Sequence, residues 1–100
     1  MHKEEKQLSI PENALNDPES FEILRVWIAN KEQHCSIKVE TWNDPAAWGI
    51  FCADLARIVA QSYNCTSEEE YLNTIKRIVM AFDAEISSPT DIPFSNSSEV

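Results

Sequence analysis

DPAAWGIFCADLARIVAQSY, residues 44–63, is the stretch around which the rest of this chain has to be arranged. Asp44 is a good helix N-cap, and Pro45 sits at the first helical position, where an N–H would have had no partner in any case. Ile50, Phe51, Cys52, Leu55, Ile58 and Val59 follow, and only Asp54, Arg57 and Gln61, at spacings of three and four, form a polar stripe. A helix that is apolar around most of its circumference is a buried helix, so other elements must cover it on more than one side. Gly49 is the only glycine of the chain. Inside a helix it costs roughly 1 kcal/mol relative to alanine, which points to a close backbone approach there.

Downstream, Ser67, Glu68, Glu69 and Glu70 read as a capping box, with three acids at the positive end of the helix dipole. The spacing of Tyr71, Leu72, Ile75, Ile78, Val79, Phe82 and Ile86 predicts an amphipathic helix from about residue 68 to 86. Upstream, FEILRVWIA (residues 21–29) and CSIKVETW (residues 35–42) are rich in β-branched and aromatic residues, and the second alternates with period two. They read as one antiparallel hairpin. With the turn centred on Lys31 and Glu32, Ile28 faces Cys35, Val26 faces Ile37 and Leu24 faces Val39, which makes one wholly apolar core face. The other face pairs Phe21 with Trp42 and Trp27 with Ser36, and holds Arg25 and Glu40 between them.

The fold class that follows is α+β, a two-layer ββαα arrangement in which the hairpin packs on two antiparallel helices. Residues 1–20, polar and holding Pro11 and Pro18, are read as a flexible leader, residues 21–86 as a single domain, and the Ser- and Pro-rich residues 87–100 as a disordered tail. A folded unit of this size buries only about 60% of its unfolded surface. Two layers from one chain leave part of the central helix and the Trp27/Trp42 face uncovered. The expectation is therefore a homodimer, in which a second copy completes the fold.

The formal net charge of −9 and the absence of a Lys/Arg cluster argue against nucleic-acid partners and anionic membrane surfaces. No run approaches the roughly 20 apolar residues of a membrane span, and MHKEEKQLSI at the start has no apolar stretch of signal-peptide length. Cys35, Cys52 and Cys65 form an odd set without a CxxC, which suits a reducing cytoplasm and structural thiols.

IPENAL (residues 10–15), DPESFEILRVWIAN (residues 17–30) and QHCSIKVETWNDPAAWGIFCADLARIVAQSY (residues 33–63) resemble, in that order, a small family of bacterial proteins of about this length. The most distinctive pieces are LRVWIAN and WNDPAAWG. The family is known only as a domain of unknown function. The resemblance implies a bacterial cytoplasmic protein and carries no catalytic residues with it.

No pair among His34, Cys35, Cys52 and Cys65 has zinc-site spacing, and no catalytic residue, metal or cofactor is read from the pattern. Cys52, among Phe51, Ala53 and Leu55, reads as a buried, inert thiol. Phe21, Arg25, Trp27, Trp42 and Trp48 are the unusual surface, the residue types of interface hot spots, and suit self-association or a protein partner. Asp54 and Arg57, three apart on one helix face, are the best polar pair. The first functional expectation is a non-enzymatic homodimeric interaction or scaffold protein that uses the aromatic surface. The second is a small-ligand binder or enzyme with Asp54 and Arg57 beside the dimer seam.

Overall fold

The computed structural model describes residues 3–90 and 94–96, and places the long apolar helix where Asp44 and Pro45 start it. This helix, α2, runs over Pro45–Ser62, and the Asp44 carboxylate accepts the backbone N–H of Ala46 at 2.9 Å. After a short link, α3 spans Glu68–Ser87. Its cap is a variant of the capping box. Ser67 Oγ accepts the Glu70 N–H at 3.2 Å, while the Glu70 carboxylate reaches one residue further back, to the Thr66 N–H at 2.7 Å and the Thr66 hydroxyl at 3.0 Å. Those bonds, the backbone one first, hold the Glu70 carboxyl below its ordinary value of 4.5.

Strands β1 (Leu24–Ala29) and β2 (Glu32–Ile37) form the antiparallel hairpin, and the expected α+β order of hairpin then two helices holds. The register differs from the expected one. Leu24 faces Ile37, Val26 faces Cys35 and Ile28 faces Gln33. The turn residues are Asn30 and Lys31, both at positive φ (54° and 64°), one position earlier than expected. Two consecutive residues in this region make the tight turn whose twist suits the flanking strands, and Asn tolerates the conformation better than most residues. The slip amounts to two residues on the partner strand, so each side chain keeps its face. Pairing ends after the Lys38 N–H donates to the Ile23 carbonyl at 3.0 Å. Val39–Thr41 then tighten into a 3-10 turn, with the Thr41 hydroxyl donating to the Lys38 carbonyl at 2.7 Å. Trp42 therefore leaves the strand and does not face Phe21.

Within the expected leader, Glu12–Asn16 form a one-turn helix, α1, and Lys3–Lys6 a 3-10 turn. Within the expected tail, Phe94–Asn96 add a strand, β3, parallel to β2, giving the sheet order β1-β2-β3. Residues 91–93 and 97–100 of that tail, and residues 1–2 of the leader, lie outside the described residues.

The largest departure is in packing. The helices lie against each other, but among the described residues no Cα of β1, β2 or β3 comes within 8 Å of α2 or α3. The hairpin was expected to lie on the helices of its own chain; its strands instead keep their Cα atoms more than 8 Å from those of both helices. Its apolar side, expected to be a core face, is open, with Ile28 70% exposed and Val26 47%. Among the described residues Ala60, on α2, is the fully buried hydrophobic one. Around it Ala56 on α2, and Tyr71, Thr74, Ile75 and Ile78 on α3, are half-buried. Gly49, expected to mark a close approach, has open space where a Cβ would stand.

Candidate functional site: an open apolar surface

Trp42, delivered by the 3-10 turn, lies edge-on to Trp48 with ring centroids 4.9 Å apart. Phe51, one turn further along α2, closes the group at 5.5 Å from Trp48 and 6.1 Å from Trp42. These are ordinary separations for edge and tilted aromatic pairs. Two of the five expected partner-binding residues, Trp42 and Trp48, thus touch each other, joining the end of the hairpin segment to the start of α2, with Trp42 exposed and Trp48 half-buried. The Trp48 indole Nε1 is buried, and among the described residues it has no hydrogen-bond partner.

Of the other three, Arg25 and Trp27 stay on β1, and Phe21 lies just before it. Arg25 and Glu22 form a two-pronged pair, Nε to Oε1 at 3.0 Å and a terminal guanidinium nitrogen to Oε2 at 3.2 Å. The Lys38 ammonium stands 5.5 Å from the centroid of the exposed Phe21 ring, and 3.6 Å from a Glu40 carboxylate oxygen. Phe21, Glu22, Arg25 and Lys38 line a shallow groove of about 360 Å³ together with Ser36. Trp27, half-buried, borders a second, smaller depression with Arg25, His34 and Ser36.

Asp54 and Arg57 do pair, at 3.6 Å, but the side chains are 65% and 63% exposed. An ion pair so open to water contributes little and encloses nothing. Cys52, expected to be buried, is exposed on α2. Cys65 is half-buried in the link between the helices, 3.6 Å from Thr74 Oγ1. Among the described residues no three His, Cys, Asp or Glu side chains gather as a metal site, and no helix is long and apolar enough to cross a membrane.

What dominates the molecule is apolar surface. On α2, Leu55, Ile58 and Val59 continue the stripe that Trp48 and Phe51 begin, and they are uncovered. On α3, Leu72, Val79, Phe82 and Ile86 are exposed. The accessible surface is 8853 Å². A folded monomer of this mass exposes roughly 5,800 Å². The radius of gyration, 15.8 Å, likewise exceeds the roughly 13 Å of a compact chain of this length. The exposed leader and the exposed apolar side chains of the hairpin and both helices contribute to the excess. The sequence pattern pointed to incomplete cover of α2; on α3 it gave the amphipathic spacing, but not that part of the apolar side would be open.

A solved structure described as that of a "putative pyruvate dehydrogenase" from the photosynthetic bacterium Rhodopseudomonas palustrus is similar to this chain, with 29% identity, a TM-score of 0.70, and coverage of 93% of this chain and 95% of that one. No curated protein matches. A family model for a domain of unknown function matches residues 7–90, nearly the whole of the described structure, and the chain belongs to that family, DUF5076.

Proposed function

We propose that this chain is a non-enzymatic interaction protein of the cytoplasm that works as a homodimer, its open apolar faces closed by a second copy. The observation that carries the reading is the run of exposed apolar side chains along both helices, Leu55 and Ile58 on α2 and Leu72, Val79, Phe82 and Ile86 on α3. Obligate homodimer interfaces bury about 2,000–5,000 Å² in total and resemble a domain core cut in half. The dimer would then present Phe21, Arg25 and Trp27, on the sheet face away from Val26 and Ile28, to a protein partner. Light scattering on the purified full chain tests the dimer. The expected mass is twice 11.4 kDa at micromolar concentration. A folded, stable species of one chain would overturn the reading.

A second reading, a small-ligand site, draws on the Arg25/Lys38 groove more than on the exposed Asp54/Arg57 pair. The description of the similar structure names pyruvate, a small carboxylate, and two cations border this groove. Each is already paired with an acid, Glu22 or Glu40, which weakens the groove as an anion site. A pyruvate-dependent rise in melting temperature, lost in Arg25→Ala and retained in Arg57→Ala, would favour this reading. No shift at millimolar pyruvate would sink it.

A further inference from the structure

α3 carries a second pattern within its amphipathic one. Leu72, Ile75, Val79, Phe82 and Ile86 repeat at spacings of three, four, three and four, the seam of a helix that packs lengthwise on another helix. Ile75 is half-buried, while the other four are 45–71% exposed. The seam covers about 21 Å of helix at 1.5 Å per residue. α2 offers no seam of that length, because Trp42 closes the first half of its stripe and leaves Leu55, Ile58 and Val59, little more than one turn.

The flanks of the seam say what fits it. Lys76 and Asp83 lie along one flank, both exposed. Among the described residues neither has an ion-pair partner in its own chain. The opposite flank carries Tyr71, Ile78 and Glu85, the first two half-buried. In a parallel pair of such helices the two flanks face each other, which sets Lys76 and Asp83 against Tyr71 and Ile78 of the other copy. In an antiparallel pair each flank faces its own counterpart, and Lys76 of one copy meets Asp83 of the other, twice by symmetry. The sum of the two charge positions and the midpoint of the seam place the two-fold axis at nearly the same residue, Val79.

We infer that a second copy of the chain docks along α3, antiparallel, with the two-fold axis beside Val79 and two symmetry-related Lys76–Asp83 pairs on its rim. The inference rests on the homodimer reading above and names its contact. Leu72 of one copy then lies towards Ile86 of the other, and Ile75 towards Phe82, so every residue of the seam finds an apolar counterpart.

Charge reversal on the full-length chain tests it, with the dimer dissociation constant as readout. Lys76→Glu and Asp83→Lys each turn two attractions into two repulsions and should weaken the dimer about tenfold. Combining them reverses both pairs and should restore the constant to within about threefold of the unmodified chain. Val79→Cys supplies a second measurement. Under mild oxidation it should give a covalent dimer joined at that position, mapped by mass spectrometry, whereas Arg77→Cys, on the far side of α3, should not. A dimer that ignores both single reversals and fails to cross-link at position 79 would overturn the α3 contact while leaving the homodimer standing. A monomer from the unmodified chain would overturn both.

Discussion

The helical pair fully buries one side chain, Ala60, and the hairpin buries none. Both are well made locally. α2 and α3 have side-chain caps at their N-termini, and the hairpin has a tight turn with its strands paired from Leu24–Ile37 to Ala29–Glu32. The difference lies in what each can do without a third party. A helix satisfies its own backbone and needs only one neighbour to begin a core, which Ala56 and Ala60 allow α3 to do by being small. A sheet of two or three strands satisfies its backbone edgewise but has two faces, and stability requires a layer against at least one of them. In this chain the layer that should lie on Val26 and Ile28 is not supplied by the chain's own helices. The two regions meet where Trp42 touches Trp48 and Phe51.

That contact is the first place to break the comparison. Trp48→Ala removes the ring that touches both other aromatics and leaves Trp42 without its edge-on partner. The expected loss is about 3 kcal/mol of unfolding free energy, at the low end for truncating a Trp because Trp48 is half-buried. Denaturant unfolding at fixed protein concentration measures it, since the stability of a dimer depends on concentration. A loss below about 1 kcal/mol would mean that hairpin and helices are held together elsewhere, for instance by the partner copy.

How much of this was legible in the sequence varies with the range of the contact. Asp44, Pro45 and Ser67 mark the helix starts because capping is a matter of one to three residues, and α2 and α3 begin where those residues place them. The i,i+3 spacing of Asp54 and Arg57 gave the ion pair, although not its openness to water. The hairpin's faces were legible from its alternation. Its register was not, because the turn depends on Asn30 and Lys31 both entering the left-handed region, and only Asn advertises that. Trp42 continued the period-two pattern of the second strand, but Trp48 and Phe51 claim it, a tertiary contact that outweighs a local preference. The pairing of Phe94–Asn96 with His34–Ser36 joins segments far apart in the chain, which no local pattern carries. The shallow groove beside Phe21, Arg25 and Lys38 depends on the observed register and was likewise out of reach.

Two glycine exchanges sharpen the comparison with smaller effects of the same sign. Lys31 sits at φ 64°, a region that costs an L side chain roughly 1 kcal/mol or more and costs glycine little. Lys31→Gly should therefore stabilise the hairpin by about 0.5–1 kcal/mol after the greater freedom of the unfolded glycine is subtracted. Gly49→Ala should stabilise α2 by a similar amount, about 0.8 kcal/mol, because a Cβ there meets nothing within the chain. The two differ in what an opposite result would teach. Destabilisation by Lys31→Gly would put the turn somewhere other than residues 30 and 31. A weaker dimer from Gly49→Ala would place a second copy against that turn of α2, in addition to α3.

The smallest expected effect separates the helical pair's local stability from everything the hairpin does. Glu70 accepts two hydrogen bonds from Thr66 as a carboxylate, and they lower its pKa from the ordinary 4.5. A carboxyl whose folded pKa is depressed gives stability that is present above its unfolded value and lost as the pH falls through the folded one. The cap at the start of α3 should thus be at full strength at neutral pH and weaken only below about 4.5, the ordinary value of such a carboxyl. Glu70→Gln keeps an acceptor for the Thr66 N–H but loses the charge, so the variant should be less stable than the unmodified chain at pH 7 and converge with it at pH 3. Helix content by circular dichroism across pH 3–7 reads this directly. Two curves that stay a constant distance apart would mean that the carboxylate matters through its shape and not through its charge. Curves that cross would assign the acid sensitivity of α3 to other groups.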